Sequence, residues 1–277
     1  MGYVASEQRM VIAYGNVVTA TKVASVACTA TEDAAYPVLN LAFDDPWRRF
    51  RFSSWSSLDR FITFTFSASQ EISCIGLVNH TIFTTPLYLN IDIRNGGGGW
   101  TTGPGSIPIG STYGNPNTLL RINPEASNQW RIGLLGTGAN HREAFTLGMV
   151  FMGSYYELPF NPLEGAMMTT REVQATTVSG TGGSHFLGYG PTKRTERTEI
   201  SFERISREQA QWVDEFLFTN YANKIIGIIP PEQLASAMPT GPQHLFGYLR
   251  AVNSSPRGGT TAGVHLYDQT IVLEGAV

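Results

Sequence analysis

The sequence is poor in charge. Asp, Glu, Lys and Arg make up 15% of the 277 residues, and three of these residues are lysines. An average soluble domain carries about 25% charged residues, and coiled coils, long helical arrays and disordered chains carry more. Those classes are therefore disfavoured. The formal net charge of −3 also provides no excess of basic residues for phosphate contacts, so nucleic acid is not an expected partner.

Cysteine and long apolar runs are scarce as well. The two cysteines, Cys28 and Cys74, lie in no metal-ligand spacing and could form at most one disulfide, and we interpret both as buried thiols. The apolar stretch from 11 to 30 is interrupted by polar residues and has Glu7 where a signal peptide would be basic. The sequence therefore predicts synthesis in the cytoplasm without an export signal, and no membrane span.

Familiar catalytic motifs are missing too. The sequence has no GxSxG elbow, HExxH helix, Walker loop or EF-hand spacing, and its five histidines are scattered. We predict no enzyme activity, no metal and no cofactor. The paired carboxylates Asp44 and Asp45 could serve acid/base chemistry, with Glu143 as a third candidate, or could bind calcium. A loop held by an Asp–Arg pair, with Arg48 and Arg49 close by, explains them more simply.

Alternation of apolar and polar residues is the strongest pattern present. It is clearest in Leu87–Arg94, where every odd residue is aliphatic, and such alternation is typical of a half-buried antiparallel strand. Similar patterns occur around Ile62, Trp130 and Leu147, and no convincing helix occurs before residue 200. The first half therefore predicts a β-sandwich. The stretch 95–116, rich in glycine and proline, is expected to be a long exposed loop.

A change of composition near Tyr155 marks a domain boundary, because the proline-rich stretch that follows cannot enter a central strand. In the second half, a hairpin with a long arm (179–191) precedes a capping box that opens at Ser206. The predicted helix covers about 206–222, and its apolar stripe, including the aromatic residues Trp212, Phe216 and Tyr221, is interpreted as core. The predicted fold is mainly β, with an N-terminal β-sandwich domain (1–155) and a C-terminal α+β domain (156–277) containing one main helix.

One group of residues has a functional character. Aromatic and polar side chains fall in or beside predicted loops, and sugars are commonly bound by stacking on aromatic rings while polar side chains contact the hydroxyls. The alternative is that the tryptophans plug the sandwich. The candidate ligand-binding residues are Trp47, Trp100, Tyr113, Asn79 and His80, with Trp55 and Arg94 beside them.

The order of elements resembles the discoidin-like, galactose-binding jelly rolls. Ala34–Arg49 contains their Asn-Leu, Asp and Trp-Arg opening, and it is followed by Ile62–Phe66, Ile72–His80 and Leu87–Arg94 in the family's order. The resemblance covers roughly 30–155. Within this family, the sequence is most similar to the jelly-roll domains of tailed-bacteriophage virion proteins. It implies a jelly-roll fold, but the chain lacks the calcium and sugar motifs of the family's glycan-binding members.

The second half is similar in element order to the minor and distal tail proteins of long-tailed phages. The resemblance implies a structural, non-enzymatic virion subunit of the tail tip, forming a ring with copies of itself and with other tail proteins and presenting an outer jelly roll. Candidate assembly residues lie in the loops: Gly96, Trp100, His185 and Tyr189. The alternative is a carbohydrate-binding module that recognises a host-surface glycan.

Overall fold

The computed structural model describes the following residues: 9–29, 31–52, 59–81, 87–94, 99–102, 107–109, 117–136, 146–158, 167–174, 177–179, 186–189, 193–230, 244–261 and 264–275. The strand pairs described below are all antiparallel. The chain forms two compact units. The first contains Met1–Asn161 and Ile225–Phe246, and the second contains Pro162–Lys224 and Gly247–Ala276.

In the described part of the first unit, the regular secondary structure consists of strands and one short 3₁₀ helix, Val38–Ala42. Its strands are β1 (Val11–Tyr14), β2 (Val23–Cys28), β3 (Phe50–Arg51), β4 (Asp59–Val78), β5 (Leu87–Arg94), β6 (Thr101–Thr102), β7 (Ile107–Ile109), β8 (Thr118–Gly136), β9 (Thr146–Leu147), β10 (Met149–Glu157) and β15 (Ile225–Ile229). The second unit has β11 (Met167–Gln174), β12 (Thr177–Ser179), β13 (Phe186–Tyr189), β14 (Lys193–Ser206), β16 (Leu245–Thr261, from Gly247 onwards) and β17 (Val264–Glu274).

The long strand β4 organises the sandwich of the first unit. Its first half pairs with β2 and its second half with β10, while β8 follows it along both halves. The register shifts between Thr65 and Gln70, and such irregularities bend a strand. Side chains from both halves then share one core. Its members include Ile62, Phe64, Ile75, Leu77, Trp130 and Met152. The prediction of a mainly β fold with a sandwich is confirmed.

Strand β15 belongs to the first unit because it pairs with β1, with Val11 opposite Ile229. The first unit therefore includes a segment from late in the sequence and continues to Asn161. This differs from the predicted division into 1–155 and 156–277. The composition of a segment can indicate a proline-rich boundary between domains. It cannot indicate that a strand from late in the sequence, β15, pairs with β1.

The loop predicted over 95–116 is not free of regular structure. Its residues Thr101–Thr102 and Ile107–Ile109 form β6 and β7, and both strands pair with β5. Pairing with an existing edge supplies the backbone hydrogen bonds that the glycine-rich sequence alone would not organise. In the second unit, the predicted arm likewise forms a small hairpin, because β12 pairs with β13.

The predicted helix is confirmed, and its middle is wider than an α-helix. It begins with α1 (Arg207–Gln211), continues as a π-helix (Trp212–Phe218) and ends with α2 (Thr219–Tyr221). The Ser206 hydroxyl accepts from the Gln209 backbone N–H at 3.3 Å, and the Gln209 side chain accepts from the Ser206 N–H, so the capping box is complete.

The helix buries less of its aromatic surface than the sequence predicts. Val213 and Leu217 are buried, but Phe216 is 37% exposed. The Phe216 ring lies 5.4 Å from the Trp212 ring and 5.9 Å from that of Tyr221, centroid to centroid. We name these three rings the aromatic row. The expectation that all of them are core residues is wrong, because the row lies beside the buried face.

Candidate functional site

A tight turn presents Trp47 to solvent. The Arg48 N–H donates to the Asp45 carbonyl at 3.2 Å and closes a turn over Asp45, Pro46, Trp47 and Arg48. Proline favours the second position of such turns, and aspartate the first, where its carboxylate can accept from the backbone two residues on. The Asp45 carboxylate accepts from the Trp47 N–H at 3.0 Å. The indole of Trp47 is 58% exposed, so the interpretation of Trp47 as a plug of the sandwich is wrong.

The turn, which we name the Trp47 turn, is held from several sides. Asn16 donates to the Asp44 carboxylate at 2.9 Å, and Asn79 donates to the Pro46 carbonyl at 3.2 Å. A Cβ on Gly148 would lie 2.4 Å from the Pro46 oxygen, so the turn packs directly on the backbone of that glycine. The backbone of the Trp47 turn is therefore organised before any ligand arrives.

Arg48, Arg49 and Arg51 differ in their contacts. The Arg48 side chain lies 3.5 Å from the Asp45 carboxylate and 4.1 Å from the centre of the Phe43 ring. Arg51 lies 3.8 Å from the Asp33 carboxylate. Arg49 is exposed and forms no ion pair with any residue that the structure describes, while its carbonyl accepts from Asn40 at 2.8 Å.

Two further exposed apolar residues lie in the segment that precedes the Trp47 turn. Leu39 is 58% exposed and Tyr36 is 40% exposed. The segment that carries them is tied to the one after the turn by the Asn40–Arg49 bond and by the Arg51 N–H, which donates to the Tyr36 carbonyl at 3.1 Å. Sequence reasoning missed both residues, because a lone Leu or Tyr beside a short helix is indistinguishable from core.

Asn79 and His80 follow the last residue of β4, and Asn79 contacts the Trp47 turn through Pro46. Asn79 has a positive φ of 55°, and its N–H donates to the Asn117 side chain at 2.9 Å. Asn117 in turn donates to the His244 carbonyl at 3.2 Å. His80 is 1% exposed and bonds the Thr118 hydroxyl at 3.0 Å through Nε2. The structure thus places Asn79 as an anchor of the turn and buries His80, so His80 cannot contact a ligand at the surface.

Both histidines of this network are held neutral. Burial lowers the pKa of His80 to about 4, and the nearby His244 adds to the effect. Burial also lowers the pKa of His244 to about 4, and its Nδ1 accepts from the Leu119 N–H at 2.8 Å. An acceptor nitrogen must be unprotonated. His244 and Asn117 were not among the sequence candidates, because each is remote in sequence from its partners. His244 is 127 residues from Asn117 and 125 from Leu119, and Asn117 is 38 residues from Asn79.

Trp100 belongs to a different part of the sheet. It is half-buried, with the Arg131 guanidinium 4.4 Å and that of Arg94 6.0 Å from its ring centre. Arg131 also donates to the buried Asp92 carboxylate at 2.6 Å. Arg94 lies opposite Gln129, which pairs with Thr65 in the first half of β4, whereas Asn79 follows the last residue of β4. The structure therefore does not group Trp100 with Trp47.

Most of the remaining candidate residues from the sequence are not among those that the structure describes. Tyr113, Gly96, His185, Trp55 and Glu143 lie outside the described residues, and Tyr189 lies in β13. Asp44 and Asp45 stabilise the Trp47 turn, as the simpler interpretation predicted. Cys28 is half-buried and Cys74 is buried, as separate thiols.

Among the described residues no cluster of three His, Cys, Asp or Glu could hold a metal ion, and no helix is long and apolar enough to span a membrane.

Comparison with known proteins gives fold likenesses only. No family model matches the chain, and no curated protein matches it significantly. Similar solved structures include a pectin-binding carbohydrate-binding module (17% identity, 48% of this chain and 91% of that chain, TM-score 0.39). A chitosan-binding module of a Paenibacillus sp. IK-5 chitosanase/glucanase is also similar (12%, 51% and 100%, TM-score 0.40), as is CpGH89CBM32-6 produced by Clostridium perfringens (17%, 52% and 99%, TM-score 0.37). At this distance they carry no inference about the ligand.

Proposed function

We propose that the chain is a carbohydrate-binding protein that contacts sugar with the Trp47 turn. The observation that carries the proposal is an indole left 58% exposed on a turn whose backbone is tied to distant parts of the first unit. An exposed aromatic ring on a rigid support is suited to stacking on the C–H face of a sugar, since little ordering entropy is lost on binding.

Tyr36 and Leu39 enlarge this surface. Their segment is hydrogen-bonded to the one that follows the turn, so the three exposed apolar side chains have a common scaffold. Polar groups at its border, such as the Arg49 guanidinium, are available for hydroxyls. We name the surface formed by Tyr36, Leu39, Trp47 and Arg49 the Trp47 surface.

The test is a glycan array probed with the intact protein and with Trp47→Ala. We expect specific glycans to bind and the variant to lose at least tenfold in affinity with an unchanged unfolding transition. Phe216→Ala is the matched control, since it also removes an exposed aromatic side chain but lies in the second unit. An array without signal, or a Trp47→Ala variant that binds as well as the parent, would reject the proposal.

A second candidate function is a structural subunit of a phage tail that assembles with copies of itself. The aromatic row supports it, because Phe216 is 37% exposed, stacks on Trp212 and packs edge-on against Tyr221. Strand β11 supports it as well: among the described residues it pairs with β14 alone, and an open edge can accept a strand from a neighbouring copy.

Light scattering coupled to size exclusion, with electron microscopy of the product, tests this candidate. We expect rings or oligomers, and we expect Phe216→Asp to shift them towards monomer. Leu39→Asp, which adds the same charge at an exposed site of the first unit, should leave assembly unchanged. A chain that stays monomeric at high concentration and is absent from purified virions would exclude this function.

A further inference from the structure

Arg49, an exposed arginine two residues after Trp47, suggests which class of sugar the Trp47 surface would bind. Arg48 is engaged by Asp45 and by the Phe43 ring, and Arg51 lies near Asp33. Arg49 is exposed, and no described residue provides it with an ion pair. The charge of Arg49 is therefore not paired by any described residue, and it lies two residues along the chain from the exposed indole.

The backbone on both sides of Arg49 is fixed. Its carbonyl accepts from Asn40 at 2.8 Å. The next residue, Phe50, is buried and packs edge-on against Phe52, with ring centroids 4.6 Å apart. The preceding residue closes the Trp47 turn. Arg49 thus has an exposed side chain on an organised backbone, as Trp47 does.

A planar guanidinium matches a carboxylate through two parallel N–H···O bonds, and such charge-assisted bonds are stronger than bonds to neutral hydroxyls. A neutral sugar would use the Trp47 ring but would leave the strongest donor of the Trp47 surface without an anionic partner. Resting on the proposed carbohydrate function, we propose that the ligand is an acidic glycan, with a uronic-acid ring stacked on Trp47 and its carboxylate bound by Arg49.

The experiment compares two probes of the same length by calorimetry: an oligogalacturonate and its methyl ester. Esterification removes the negative charge and keeps the stacking face of each sugar. We expect the acid to bind at least tenfold more tightly than the ester. Arg49→Ala should abolish this preference, and Arg49→Lys should restore part of it, because lysine keeps the charge but not the planar fork.

Two control variants make the result specific. Arg207→Ala removes an exposed arginine of the second unit and should change neither affinity. Trp47→Ala should weaken both probes. Equal binding of acid and ester, or a preference that survives Arg49→Ala, would overturn the acidic-glycan assignment and leave the carbohydrate function standing. Failure of both probes together with neutral glycans on the array would reject the carbohydrate function itself.

Discussion

Asn79 donates from its side chain to the Pro46 carbonyl at 3.2 Å, and so joins the end of β4 to the Trp47 turn. The two residues are 33 positions apart in the sequence. Asn79 also has a positive φ, a conformation that asparagine tolerates better than most residues. One residue therefore combines a backbone requirement with an anchor for the candidate site.

Replacement of Asn79 can separate these two roles. Asn79→Gly keeps access to the left-handed conformation and loses the bond to Pro46, whereas Asn79→Ala loses both. We expect the alanine variant to be less stable than the glycine variant by about 1 kcal/mol, and both to bind glycan more weakly than the parent. Urea denaturation and calorimetry measure the two effects. Equal stability of the two variants would show that the positive φ carries no cost.

Acid should destabilise the first unit through its histidines. His80 and His244 have folded pKa values near 4, below the ordinary value of 6.5, so the unfolded chain binds protons more readily than the folded one. Stability is therefore full above about pH 6.5 and decreases as the pH falls towards 4, by at most about 3 kcal/mol for each histidine.

The slope of the unfolding free energy between pH 6.5 and 4 checks this prediction. His80→Gln removes one titrating group and keeps a side chain that can bond Thr118, so its slope should be shallower than that of the parent. His265→Gln changes a histidine of the second unit and is the control. An unchanged slope in His80→Gln would contradict the assignment.

The Arg131–Asp92 pair should stabilise the sheet near Trp100. Asp92 is buried, and Arg131 covers the rings of Phe61 and Trp100 while it bonds the carboxylate. Arg131→Met leaves a buried carboxylate without its partner, and we expect a loss of about 3 kcal/mol. Asp92→Asn in the same chain should recover part of the loss. A double-mutant cycle in urea measures the coupling, and additive losses would exclude a specific interaction.

The capping box should stabilise the helix of the second unit. Ser206→Ala removes the acceptor of the Gln209 N–H, and such caps contribute about 1 kcal/mol. Ser206→Asp retains an acceptor and should keep most of the stability. Thermal unfolding followed by far-UV circular dichroism gives the comparison. Equal midpoints for the alanine variant and the parent would show that the cap does not limit stability.

Most of the local structure can be predicted from neighbouring residues alone. Alternation in Leu87–Arg94 predicts β5, the pattern at Trp130 and Ile132 predicts part of β8, and the residues at 206–209 predict where the helix begins. These signals are local: side chains two apart share a face of a strand, and a cap needs only its own turn. The aspartates at 44 and 45 and the arginines after them likewise predict the loop that contains Trp47.

Which of these residues are exposed depends on contacts between distant parts of the chain. Trp47 is exposed because Asn16, Asn79 and Gly148 hold its turn from elsewhere in the chain, and His80 is buried because β4, β8 and His244 meet around it. Phe216 lies off the buried face of a helix whose middle is π rather than α. A period in the sequence indicates which side chains share a face, but exposure depends on what is packed against that face.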